Sequence, residues 1–376
     1  MRNKAFRVAA ASGIMLFICS GAQFAQVPAW KGKIVKEGEM TVVQNPKEPI
    51  YRNPILTLKE DFVLGGGKAQ GESAFSMAWS IAVDNGGNIY VGDLKQACVK
   101  VFDKAGAYLR TIGRRGQGPG EMSGVLSVSV NPNNQELIVS DAHKLIFFDL
   151  QGRFKRNLML RGMATHASLD RQGNVFAWIS DIRERRSILR LFSPDMTKIL
   201  SDIVVDPDLP DRNMYSPRAC WILDPQGRLI FGYAKTYEIS FYDEHLKVIK
   251  KIVREYEPVK VTEADKKIYM KRSLPPGHSG PVKQPCPSVH AAFRSFFLDD
   301  QGHFFVQTWE RTSAGRQDIY DVYDSEGRFF GRIALNVHPD FINPIPRILR
   351  NNKLYAVEVD EEGYEVVKRY SVAWRY

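Results

Sequence analysis

Residues 79–121, WSIAVDNGGNIYVGDLKQACVKVFDKAGAYLRTIGRRGQGPGE, constrain the fold of this chain more than any other stretch. They break into four short apolar, β-branched runs separated by polar turns. Ser80–Val83, Ile89–Gly92, Cys98–Phe102 and Tyr108–Ile112 are predicted strands. Asp84–Asn88 (DNGGN), Asp93–Ala97 and Asp103–Gly106 (DKAG) are predicted turns, with Asn, Asp and Gly where a tight hairpin needs positive φ or an Asx turn. Four short antiparallel strands cannot bury both of their faces alone. Such a unit has to stack against copies of itself, so the chain must contain copies.

It does. The pattern is an apolar run ending in Asp, two residues and Gly, then another apolar run; a third run ends the same way and leads into a fourth. Asp84, Asp170, Asp224 and Asp299 mark the first hairpin, and Asp103, Asp149 and Asp324 the second. These aspartates are read as turn-formers. Full units fall at 79–112, 126–160, 166–205, 220–254 and 295–335. The last, 347–374, has three strands and lacks a fourth, whereas 55–64 (ILTLKEDFVL) is a fourth strand without its first three; GGGKAQGE after it parallels GRRGQGPGE after the first full unit. Joining the two ends gives six complete units and removes the open edge between first and last. The expected fold is therefore all-β, a six-bladed β-propeller of four-stranded antiparallel blades, with the ring closed by the N-terminal strand 55–64.

The run from Trp79 to Glu121, with GRRGQGPGE between blades, resembles NHL-type repeats. Residues 55–376 as a whole resemble the exported bacterial six-bladed β-propeller proteins related to them. The resemblance implies the fold and a binding role. It transfers no functional residue, because no functional motif of the family can be matched position by position. Copies after the second lack the Gly-Pro-Gly-Glu exit.

The N-terminus reads as an export leader. Arg2, Lys4 and Arg7 precede an apolar segment, Val8–Ile18, too short for a good membrane span, and Ser20-Gly21-Ala22 offers small residues for cleavage after Ala22, with Ala25 as second choice. Residues 1–22 are thus the expected signal peptide, 23–54 an N-terminal extension crossing the surface as a polar tail, and 55–376 the propeller. Ile18 before Cys19 argues against lipidation there. The expected location is periplasmic or extracellular. Loss of the leader lowers the formal charge from +10 to +7, a scattered excess. Export excludes nucleic acid as a partner, and no later stretch spans a membrane. A monomer is expected.

Cys98, Cys220 and Cys286 remain after cleavage, which permits at most one internal pair. A Cys220–Cys286 disulfide tethering the long insert is one expectation; Cys98 is read as buried and free.

Function is expected on one face. The blade-to-blade links 206–219, 255–294 and 336–346 carry the extra chain, and all lie over the same mouth of the channel. Within the longest, Thr262–Ser273 is a predicted helix opened by a capping box, Thr262-Glu-Ala-Asp265, and stopped by Pro275-Pro276-Gly277. Ile268 and Arg272 share its short packing face, and it is read as a lid. Trp79, His166, Arg218, His290, Arg294 and Arg347 are expected just before the channel-lining strands and are the candidate ligand-binding residues; two histidines and three arginines suit an anionic or carboxylate-bearing ligand. Asp93, Asp141, Asp181 and Glu310 could pair with those arginines, though capping their own turns is the simpler role.

No catalytic residue, metal ligand or cofactor is assigned. HxH, HExxH, CxxC and GxSxG patterns are absent, and GRRGQGPGE lacks the following helix that a phosphate loop needs. The sequence reading is a module binding a small molecule or a protein at one channel mouth. A propeller lyase or lactonase-type hydrolase using the same mouth, with a metal held in part by His166 and His290, stays open as the alternative.

Overall fold

Alternation of side chains along a strand decides how this chain packs. In the strand Lys144–Asp149, Ile146 and Phe148 enter one apolar cluster while Leu145 and Phe147 enter another. A sheet with two apolar faces needs a neighbour on each side, and a ring of blades supplies it. The structure, a computed structural model, describes residues 29–376 apart from 68, 70, 132–134, 182, 185, 207–214, 274–285, 314–316 and 337–346. The expected signal peptide and its cleavage sites lie outside the described residues.

The architecture is an all-β six-bladed propeller with four-stranded antiparallel blades. Blades 1 to 5 open with strands Ala78–Val83, Ser127–Asn131, Met163–Leu169, Ala219–Leu223 and Ser295–Leu298, and blade 6 with Ile348–Arg350. One apolar cluster fills each space between neighbours. Tyr90 and Val99 meet Leu137 and Phe148 between blades 1 and 2, and Phe304 and Tyr323 meet Ile239 and Ile252 between blades 4 and 5. Each large apolar side chain buried this way stabilises the fold by roughly 1.5–3 kcal/mol.

The ring closes as the strand arithmetic requires. Strand β3 (Leu56–Gly65), numbered after two N-terminal strands described below, pairs antiparallel with Glu365–Trp374 from Trp374↔Leu56 to Val366↔Gly65. Leu64 then packs with Val357 and Val367 of blade 6 against Ile81 and Val91 of blade 1.

The Asp-x-x-Gly turns share one geometry. In Asp84, Asp170, Asp224 and Asp299, Oδ1 accepts the backbone N–H four residues on at 2.7–2.8 Å. The second oxygen accepts from the side chain of that same residue, Asn88, Asn174, Arg228 or His303. The glycine takes positive φ, and at Gly227 (φ +79°) a Cβ would also meet the Arg171 amide at 2.8 Å. These carboxylates are saturated by their own turns. The Gly-rich exit of blade 1 behaves similarly: Gly118 N–H donates to Glu121 Oε2 at 2.9 Å and Arg114 Nε to Oε1 at 2.8 Å. These donors of the exit are thus taken by a carboxylate of the chain itself.

The polar tail expected before residue 55 is corrected. β1 (Lys33–Glu37) and β2 (Met40–Asn45) form a hairpin, and β2 pairs in parallel with Val248–Arg254, extending blade 4 to six strands. Asn45 fastens it to the next blade: Nδ2 donates to Gly327 O at 3.0 Å and Oδ1 accepts from Phe329 N at 2.6 Å. Ile50 and Tyr51 then donate to the Phe329 and Phe330 carbonyls. The segment belts blades 4 and 5 before closing blade 6. Among the described residues no helix is long and apolar enough to cross a membrane.

Candidate functional site

The channel has two different ends. The first-to-second and third-to-fourth hairpins form one face, and the blade-to-blade links form the other. A cavity of about 280 Å³ lies among the ends of the first strands and reaches the hairpin face; Val83, Asn131, Leu169, Leu223, Leu298 and Arg350 border it. Its polar groups are largely committed. Asn131 Nδ2 donates to Asp170 O at 3.2 Å, Arg350 Nη1 to Val83 O at 3.1 Å, and Asp224 and Asp299 are held in their turns.

The link face carries the charged and aromatic side chains. Helix α1 (Glu263–Ser273) begins as the capping box predicts: Thr262 N–H and Oγ1 donate to Asp265 Oδ2 at 2.8 and 2.7 Å, and Asp265 N–H donates to Thr262 Oγ1 at 3.2 Å. Its packing differs from the expectation. Ile268 is 40% exposed, and the helix is attached through Asp265 instead. The Tyr215 hydroxyl, from the 206–219 link, donates to Asp265 O at 2.7 Å, and His290 Nε2 lies 3.3 Å from Asp265 Oδ2. Pro275-Pro276-Gly277 lies outside the described residues.

His290 is 6% exposed and stacks on Trp309 at 4.2 Å, with Tyr215 edge-on to both rings. Burial pulls its pKa down against the pull of Asp265, so the ring is neutral at neutral pH. Nε2 then carries the proton that faces Asp265, and Nδ1 presents a lone pair with no partner among the described residues. Burial opposes ionisation of Asp265, but the Thr262 bonds and His290 outweigh it and hold the carboxyl below its usual range.

Arg294 lies with its guanidinium 4.9 Å from the Trp309 ring centre and donates from Nη1 to Asp318 Oδ2 at 2.8 Å. Gln307 Nε2 donates to the same oxygen at 2.6 Å, and Arg311 Nε reaches Oδ1 at 3.3 Å. On the next blade, Arg347 Nε donates to the Tyr320 hydroxyl at 2.9 Å and Nη2 to Asn336 O. Burial raises the Tyr320 phenol, and Arg347, Asp318 and Arg294 all lie near enough to act on its charge. Two guanidiniums therefore hold the Asp318 carboxylate, and a third stands across Tyr320 from them.

The expected site residues divide accordingly. Arg218, His290, Arg294 and Arg347 precede their strands as predicted. His290 and Arg294 share Trp309, and Arg294 and Arg347 share Tyr320. Arg218 adjoins Cys220 and acts on its charge. His166 is a correction: blade 3 starts at Met163, so His166 lies within the strand, just past a bulge, packed 4.8 Å from the Trp221 ring. Burial lowers its pKa to about 4. Trp79 likewise lies inside Ala78–Val83, at the bulge between Ala78 and Ser80. His166 and His290 occupy separate aromatic clusters, and no group of three His, Cys, Asp or Glu side chains placed to hold a metal occurs among the described residues.

Of the acidic residues weighed for pairing, Asp181 accepts from its own turn, Asp93 from Gln96 of its turn and from Ser76 of the preceding link, and Asp141 from Ser123 and Gly124 of the preceding link. Glu310 instead holds Arg332 through two bonds of 2.9 and 3.1 Å. The partner that sequence reasoning missed is Asp318, at the start of a third strand, where only cross-strand register brings it under Arg294. The expected Cys220–Cys286 bond is not formed. Cys220 Sγ donates to Arg294 O at 3.3 Å with its thiol pushed up to about 12 by burial, and Cys286 packs with Tyr215, Val261 and Trp309. Cys98 is buried and free.

Comparison with known proteins agrees with the fold. Residues 78–191 match the family model DUF5128, described as a 6-bladed beta-propeller. No curated protein matches the chain. A candidate exported protein from Bacteroides fragilis NCTC 9343 superposes with a TM-score of 0.55 at 12% identity, over 89% of this chain and 100% of that one. A DUF4221 family member from Bacteroides vulgatus gives 0.54 at 12% identity, over 85% and 99%. A catalytically inactive virginiamycin B lyase from Staphylococcus aureus, with quinupristin, gives 0.45 at 13% identity over 84% and 99%, a likeness too distant to bear on chemistry.

Proposed function

We propose that the chain is an exported binding module that takes an anionic ligand at the link-side mouth of the channel. The observation that carries this reading is that Arg294 and Arg311 share the single carboxylate of Asp318 while Arg347 stands beside them on the Tyr320 hydroxyl. Guanidiniums offer planar forks to carboxylates, and only some of their N–H groups are used internally. Arg294 Nε and Trp309 Nε1 are buried donors with no acceptor among the described residues; leaving such a donor unsatisfied costs about 1–3 kcal/mol, which favours a ligand rich in acceptor oxygens. Helix α1, pinned at Asp265, is read as the lid beside this mouth. The leader at residues 1–22 supports export. The NHL-type relation is proposed on the first blade's exit run alone.

Thermal unfolding of the purified chain with simple carboxylates and sugar acids in low-salt buffer tests the reading. A ligand-dependent rise in Tm should shrink with added salt and vanish in the Arg311→Gln/Arg347→Gln double variant. An undiminished rise in that variant places the ligand elsewhere. Release of a chemically altered product would favour the lyase or hydrolase reading.

A further inference from the structure

We infer that the ligand of this mouth is a small dianion, two carboxylates joined by a short carbon chain, rather than a monoanion. The inference rests on the anion-binding reading above and refines it. Its basis is the local charge. Arg294 and Arg311 flank Asp318 from both oxygens, and Arg347 stands across the Tyr320 hydroxyl from them with no carboxylate within ion-pair distance among the described residues. This group carries a formal surplus of two positive charges.

The neighbouring acids do not cancel it. Glu310 and Asp321 are matched by Arg332 and Arg254. Asp265 faces the helix N-terminus and His290. Glu358 accepts from the Tyr370 hydroxyl and Asn336 Nδ2 and shares Lys368, 4.0 Å away, with Glu60 at 3.0 Å. Arg218, just before the first strand of the adjacent blade, is separately engaged. A monoanion would leave a net charge on a partly desolvated group, which is unfavourable; a dianion neutralises it.

Geometry agrees with charge. The donors form two fixed forks on adjacent blades. One is the Arg294–Arg311 pair held by Asp318. The other is Arg347, held by Tyr320 and the Asn336 carbonyl. Two preorganised forks separated by a tyrosine fit two carboxylates better than one.

Isothermal titration of the full chain near neutral pH, with straight-chain α,ω-dicarboxylates from malonate to adipate and the monocarboxylates of matching length, tests the inference. The best dicarboxylate should bind at least about tenfold tighter than its monocarboxylate. Arg347→Gln should bring the two close to parity. If that substitution unseats Tyr320, Arg311→Gln, on a more exposed side chain, serves in its place. Equal binding of the two series by the wild type overturns the dianion and leaves the anion reading standing. No binding by either series overturns both.

Discussion

Acidification should destabilise this propeller through His166, and by a calculable amount. The ring sits inside a channel strand against Trp221, and burial lowers its pKa from 6.5 to about 4. A lowered folded-state pKa means that between those two values the unfolded chain binds a proton that the native chain does not. Stability therefore falls as the pH is lowered across this window. The contribution is intact above 6.5 and fully lost below about 4. Binding one proton more in the unfolded chain costs about 1.36 kcal/mol for every pH unit crossed, so the loss is about 3 kcal/mol. Carboxylates titrate nearby, so the wild-type slope alone is uninformative. The clean quantity is the difference in unfolding free energy between wild type and His166→Phe, from urea denaturation at a series of pH values. His290 and the acidic residues titrate in both proteins and cancel to the extent that distant sites are additive. The variant carries no proton-binding group there, so it should gain about 3 kcal/mol on the wild type between neutrality and the acid end. A difference that stays flat with pH would refute the claim that His166 is held neutral by burial.

Two further outcomes follow from the packing. Asp321 is fully buried with Arg254 Nη1 at 2.8 Å and the Tyr237 hydroxyl at 2.7 Å, so Asp321→Ala should cost roughly 3–5 kcal/mol by stranding a buried guanidinium, read by chemical denaturation; a cost near that of a surface change would count against the buried pair. Cys98, Cys220 and Cys286 should all alkylate after unfolding without reductant; recovery of Cys98 alone would restore the disulfide.

Much of the fold was legible because its cues are local. The Asp-x-x-Gly turns announce every blade, and a lone strand at the start of the repeat array with a three-stranded unit at its end leaves closure by β3 as the economical solution. The capping box at Thr262 is likewise contained in four residues. What escaped depends on distant partners. KIVKE and MTVVQN are short and half polar, and β2 becomes a strand because Val248–Arg254, some two hundred residues later, offers an edge. Gly38, at φ +62° between β1 and β2, was the one local hint of a hairpin. The arginine at the start of three consecutive channel strands could be found by aligning repeats. Its partner Asp318 could not, since strand register is decided by packing. His166 and Trp79 were misplaced by the bulges at Ala164/His166 and Ala78/Ser80, which lengthen a strand without marking the sequence.

The N-terminal belt has a temporal side. Asn45 bonds to Gly327, 282 residues on, and Asp61 accepts from Ser371, 310 residues on. The first strands made are thus the last that can be placed. Five blades can assemble as the chain emerges, while β2 and β3 wait without their edges until Val248–Arg254 and Glu365–Trp374 arrive. Closing so long a loop is slow, and waiting strands expose unpaired edges. The charges of β3, Lys59, Glu60 and Asp61, placed mid-strand, suit that interval: they keep an unpartnered strand soluble, and Glu60 and Asp61 then lock the ring when Lys353, Lys368 and Arg369 reach them.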